Sequence, residues 1–399
     1  MKTMKNFLSM AALALVGAMM TGCSSDDNFA VEQQPENKNN VVTLTTTVGL
    51  DGGAGTTRAL TSTGVKTFAA GETMAVIYHN GTSSVKAVSH ALEAGDITNG
   101  GKNATFTFDL ETPNKSGDVL YIYPAAMADD MGVDVTKLNT QEGTFDALQS
   151  KYDLATNFGA WDGDNLPSLT LENLLAILAI NLKNGSDITN SITGLTISDG
   201  TNNYAVSGIS SASTIYVAIQ PTSGATIEVT ATDGTDDYVK TLTSKTYDAN
   251  NGYNVTWNMT KLPKVTWNST NVFNSSHWMD MLDRNSTTPL TYEGVTISFS
   301  GTDVSSFIPY SPGMGKARLN CYGGDGDSFT FTAPSGKKFT KIEIIDNSFV
   351  DFTEYGDWTQ PEINKIVWRG TPASTVTLGG SNSTIAHDLN SIVFTLKDE

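Results

Sequence analysis

The 399-residue chain predicts an all-β protein built of β-sandwich domains in tandem, and three observations carry that prediction. β-Branched and aromatic residues recur in short runs; glycine, threonine, serine and asparagine punctuate them; charged residues make up only 17%. Short alternating runs bounded by turn residues are the pattern of strands with one buried face, and their even spacing points to sandwiches. A chain of this length holds two or three domains of ordinary size. The expected organisation is a leader over 1–22, a tether over 23–40, and sandwiches over 41–160, 161–262 and 263–399.

The leader comes first. Lys2 and Lys5 precede the apolar run Phe7–Met20, which is too short to span a bilayer and has the shape of an export signal. Met20-Thr21-Gly22-Cys23 resembles a bacterial lipobox, which implies acylation of Cys23 and a membrane anchor of several acyl chains; an ordinary secretory leader with a coincidental cysteine is the alternative. Ser24-Ser25-Asp26-Asp27 is similar to the acidic tag that routes lipoproteins to the outer face of the outer membrane, with a solvated linker as the alternative. Polar Ser24–Asn40 reads as a disordered tether. With Cys23 acylated, Cys321 has no disulfide partner, so stability has to come from buried cores. The formal charge of −18 argues against nucleic acid as a partner and against binding anionic headgroups through a basic patch.

Val41–Leu50 is the first strand. Val42, Leu44, Val48 and Leu50 share one face, with threonines and Gly49 mostly on the other. A glycine-rich segment then runs to a single arginine, Arg58. A trypsin-like protease cutting between Arg58 and Ala59 would leave the strand held by non-covalent contacts alone; an ordinary loop arginine is the alternative.

Further strands follow in turn. Met74–Tyr78 starts after a turn at Ala70-Gly71-Glu72, Ala104–Phe108 alternates, and Gly117–Tyr123 is stopped by Pro124. Gln141–Asp146 and Lys151–Leu154 are suited to short helical turns. In order, Phe68-x-x-Gly-Glu-x-x-x-Val-x-Tyr78, Tyr121-x-Tyr-Pro124, Gln141-x-Gly-Thr-Phe145 and Lys151-Tyr-Asp-Leu154 resemble the N-terminal half of the fimbrillin family, the lipoprotein-derived subunits of type V pili. The resemblance covers about 20–261 and implies two transthyretin-like sandwiches.

The apolar run Leu169–Leu182 is expected to open the second sandwich, with a short helical or irregular start leading into a strand over Ile177–Leu182. Gly194–Ile197, Thr214–Ile219, Ala225–Ala231 and Tyr238–Thr243 continue as short strands. An Asn-Gly turn then feeds the alternating Tyr253, Val255, Trp257 and Met259, similar to the family's closing strand. After Leu262-Pro263-Lys264 the chain no longer resembles that family. Six or more strands from Val295–Ser300 to Ser391–Leu396 resemble the jelly-roll modules appended to bacterial surface proteins.

No phosphate loop, nucleophile elbow or zinc-protease helix is present in the sequence, and His79, His90, His277 and His387 stand singly, so no catalytic residue, metal or cofactor is expected. Gly323–Asp327 lacks the acidic spacing and closing glutamate of a calcium loop. Trp278, Tyr322, Trp358 and Trp368, with Trp267, could form a sugar-stacking platform, or else serve as core and strand partners.

The resemblance implies a pilus subunit that is not an enzyme. On this expectation Val41–Leu50 plugs a groove until cleavage, and a strand from another subunit replaces it. The appended module favours a tip or accessory position, contacting a host or glycan ligand. The alternative is a glycan-binding surface lipoprotein that never polymerises.

Overall fold

The computed structural model describes residues 41–50, 67–81, 83–209, 211–277, 282–283, 288–301, 306–311, 316–321, 327–347, 349–350, 352, 354–379 and 384–399. Strands dominate throughout. The first group comprises β1 (Val41–Leu50), β2 (Ala75–Asn80), β3 (Ser83–Val88), β4 (Ile97–Thr98), β5 (Asn103–Glu111) and β6 (Ser116–Tyr123). It is followed by β7 (Thr140–Gln141), β8 (Ala155–Asp162) and β9 (Leu169–Asn173). All but β7 join one folded sheet in the order β3-β2-β6-β8-β9-β1-β5-β4. Alternation decides which side faces in. Ala104, Phe106, Phe108 and Leu110 of β5 are buried against Tyr121 and Tyr123 of β6, while the residues between them are more open.

The apolar run Leu169–Leu182 does not start as a helical or irregular segment. Thr170 and Glu172 alternate with Leu169 and Leu171, so its first part is β9, half-buried in the first sheet. Only from Ala176 does it become β10 (Ala176–Asn184), which is buried almost throughout and central to the next sheet. The expected boundary after residue 160 therefore falls inside β8, and the first sheet continues through Asn173.

The second sandwich adds β11 (Ser186–Asp187), β12 (Gly194–Ser198), β13 (Asn203–Ser207), β14 (Ile215–Ile219), β15 (Thr222–Thr232), β16 (Asp237–Tyr247), β17 (Asn251–Asn258) and β18 (Thr260–Lys261). One sheet centres on β10, flanked by antiparallel β14 and parallel β17. The other runs β18-β16-β15-β12-β13-β7. The hairpins β12–β13 and β15–β16 turn on Asp199-Gly200-Thr201 and Asp233-Gly234-Thr235, where each aspartate accepts the backbone N–H groups two and three residues on.

Between β6 and β8 the chain leaves the first sheet as a strap, and its Met127, Leu138, Leu148 and Leu154 pack into the second core. Gln141, fully buried on β7, extends a strand-like pairing with its side chain. Its Nε2 donates to the carbonyls of Leu138 and Ala218, at 2.9 and 2.7 Å, and its Oε1 accepts the Ala218 N–H at 2.9 Å. This closes the seam between β7 and β14. Gln141→Ala leaves Ala218 without either partner, and a cost of about 2–4 kcal/mol is expected in urea unfolding. Gly143, at φ +69°, follows where a Cβ would sit 2.2 Å from the Ile209 side chain.

At Leu262-Pro263 the chain passes into a third, antiparallel sandwich. Its strands are β19 (Lys264–Asn268), β20 (Leu282–Asp283), β21 (Leu290–Tyr292), β22 (Val295–Ser300), β23 (Ser306–Ser311), β24 (Lys316–Cys321) and β25 (Ser328–Thr332). After them come β26 (Lys337–Asp346), β27 (Phe349–Val350), β28 (Trp358–Glu362), β29 (Lys365–Trp368), β30 (Thr375–Gly379) and β31 (Thr384–Asp398). One sheet runs β20-β23-β24-β31-β26-β29-β28, with β19 and β27 also on β31; the other runs β21-β22-β25-β30. Trp267, Phe331, Phe339 and Phe394 fill the space between them.

Candidate functional site

β1 sits in its sheet asymmetrically. Along one side it forms an antiparallel ladder with β5, from Val41 opposite Glu111 to Gly49 opposite Asn103. Along the other, only Val48–Leu50 pair, in parallel, with Leu169–Leu171 of β9. Val48 is 0% and Leu50 7% exposed, whereas Val42 and Leu44 are half-buried. The anchoring is therefore concentrated at the C-terminal end of the strand.

Thr46 also belongs to the inward face, buried between Leu44 and Val48, and its hydroxyl donates to the Pro167 carbonyl at 2.9 Å. Strict alternation could have identified it; its polar character hid it. Tyr121 donates to the same carbonyl at 3.1 Å. On the outward face, Thr43 donates to Asp109 at 2.6 Å and Thr47 shares a hydrogen bond with Thr105 at 2.9 Å, side-chain contacts that fix the register. Hydrogen bonds from Thr43 and then His90 hold the Asp109 carboxyl below its ordinary range.

The motif residues surround this core as structural parts. Phe68 packs edge-on against Phe106 and Tyr123, with ring centroids 5.5 and 5.0 Å away. Tyr123 donates to Glu72, and burial, followed by the Glu72 charge, raises the phenol well above its ordinary value. Tyr78 accepts the Glu111 N–H at 2.8 Å, and Thr144 caps the short helix Phe145–Ala147.

Cys23, Arg58, Ala59, Trp278 and Tyr322 lie outside the described residues. Two of the other aromatic candidates are corrected. Trp358 is 2% and Trp368 6% exposed, the first donating its Nε1–H to the Thr377 carbonyl at 2.8 Å. Trp267 is likewise buried, against Phe394. These rings fill the third core, as large apolar side chains in a sandwich do, and offer no surface for a sugar to stack on. Among the described residues, no cluster of three or more histidine, cysteine or acidic side chains could hold a metal, and no helix is long and apolar enough to cross a membrane.

Sequence reasoning missed the charged junction between the second and third sandwiches. Lys341 on β26, with its side chain 3% exposed, lies 2.8 Å from Asp237 at the start of β16 and 3.1 Å from Glu343. Lys365 lies 2.7 Å from Glu343, and Arg369 lies 3.3 Å from Asp237. Beside them Lys264 meets Asp236 at 2.9 Å and Lys397 meets Glu228 at 3.0 Å. Burial alone would raise the Asp237 and Glu343 carboxyls, yet the hydrogen bonds and charges of Lys341, Lys365 and Arg369 outweigh it and lower both.

A carboxyl with a lowered folded-state pKa stabilises the fold above its unfolded value, and that contribution is lost as pH falls through the folded one. The second–third junction is accordingly expected to be stable at neutral pH and to weaken below about pH 4, where carboxylates begin to protonate. Thermal unfolding followed from pH 7 to 3 checks this; a junction whose melting does not change over that range contradicts it.

No family model and no curated protein matches this chain. Several solved structures are similar in part, three of them as follows. A candidate cell adhesion protein of Bacteroides uniformis is 15% identical, with a TM-score of 0.31, over 57% of this chain and 97% of its own. A fimbrial assembly protein of Parabacteroides distasonis is 12% identical, with a TM-score of 0.28, over 54% and 90%. A candidate cell adhesion protein of Bacteroides ovatus is 11% identical, with a TM-score of 0.31, over 56% and 95%. Likeness this weak says nothing of activity.

Proposed function

We propose that the chain is a cell-surface fimbrial subunit, in a tip or accessory position, that assembles by strand exchange and mediates adhesion without catalysis. Its export as an outer-membrane lipoprotein acylated on Cys23 and its cleavage between Arg58 and Ala59 are parts of the same proposal. The observation that carries it is the one-sided seating of β1. A strand zipped to β5 but paired with β9 only at Val48–Leu50 has few backbone bonds to break on that side. Its removal would expose unpaired backbone beside the apolar side chains of β5, which is the kind of slot a strand from another subunit fills. The chain path favours the tip or accessory position. The second sandwich ends in β18 and passes directly into β19, so this segment is occupied in linking two modules.

N-terminal sequencing of the protein isolated from surface fibres tests the proposal. A start at Ala59, with Arg58→Ala blocking incorporation, is the expected result. Fibres containing the uncleaved, acylated chain would overturn it.

A further inference from the structure

The second sandwich has two seams, treated differently. At one, β7 extends the sheet edge and Gln141 bonds across to β14. The other is open. β17 pairs only with β10, and β16 pairs with β18 only at Tyr238 and Val239, so the outward edges of Asn251–Asn258 and of β16 beyond Val239 have no strand beside them among the described residues. Between these edges runs a groove of about 450 Å³, floored by Leu242, Tyr253, Val255 and Trp257. Lys240 and Lys245 also line it, neither ion-paired among the described residues, and no carboxylate does. In a chain of net charge −18 this is a local basic spot.

We infer that this seam is a second strand-accepting site, distinct from the seat of β1, whose occupant is an extended segment of a partner protein carrying alternate apolar side chains and acidic residues. The backbone of such a segment would satisfy the unpaired edge of β17, as in β-strand addition. Its apolar side chains would cover Tyr253 and Val255, and its carboxylates would meet Lys240 and Lys245. This does not depend on cleavage at Arg58, because, among the described residues, nothing pairs with the outward edge of β17 while β1 is seated.

The test uses the full, uncleaved chain and a fluorescent ten-residue peptide of alternating valine and threonine with aspartate at both ends. Saturable binding by anisotropy is expected, with a lysine-ended counterpart at least tenfold weaker. The double variant Lys240→Glu/Lys245→Glu should reverse that order. N-methylation along one edge of the peptide backbone should abolish binding, and Val255→Lys should weaken it at least tenfold. The proposal is overturned if no saturable binding occurs, if binding ignores both the charge reversal and N-methylation, or if it appears only after cleavage at Arg58, which would assign it to the seat of β1.

Discussion

Lys341→Met is expected to destabilise the protein by about 3–5 kcal/mol, because it removes the shared cation from two carboxylates already taken out of water. Among the described residues, Asp237 would keep one cation, the half-exposed Arg369, and Glu343 would keep Lys365. With a urea dependence of about 2 kcal/mol per molar, the midpoint should fall by roughly 1.5–2.5 M. The loss should concentrate at the junction, so protease cutting near Leu262-Pro263 should rise before the separate cores open. Adding Asp237→Asn should recover part of the stability, since it removes one of the orphaned charges. Lys115→Met, whose partner Asp164 is exposed, should leave the midpoint where it is. A Lys341→Met protein with unchanged midpoint and unchanged cutting would mean that the two modules are joined by something other than these charges.

That junction also marks where sequence stops being informative. Strand character could be read from alternation: β1, β5 and β17 each occupy the run that carries the pattern. Asp237 and Lys341 carry no such mark, because their partnership joins positions 104 residues apart and depends on how two sandwiches meet (341 − 237). The run Leu169–Leu182 misleads for a related reason. Its apolar residues are compatible with burial in either of two neighbouring cores, and the pairing of β9 with β1 and β8 shows that the first part belongs to the earlier sheet. The buried tryptophans of the third module teach the complementary lesson. An aromatic on a strand looks the same in sequence whether its ring faces solvent or core, and Trp358 and Trp368 face the core.

Val48→Asp is expected to turn β1 from a firmly seated strand into one that leaves on its own once the chain is cut between Arg58 and Ala59. Val48 is fully buried, stands opposite Ala104 on β5, and begins the short parallel contact with β9 at Leu169. Burying a valine side chain stabilises by about 1.5–3 kcal/mol, and a carboxylate placed there adds a desolvation cost of its own. A combined loss of at least about 4 kcal/mol corresponds to roughly a thousandfold weaker hold on the strand. Val42→Asp, at the half-buried end, should weaken the hold far less. In protein cleaved after Arg58, native mass spectrometry should show the wild-type strand retained, the Val42→Asp strand largely retained and the Val48→Asp strand lost. Equal retention of all three would mean that the ladder to β5 alone holds β1. A partner would then have to strip the whole of that ladder, instead of first prising the strand loose at Val48–Leu50, where the apolar anchoring is concentrated.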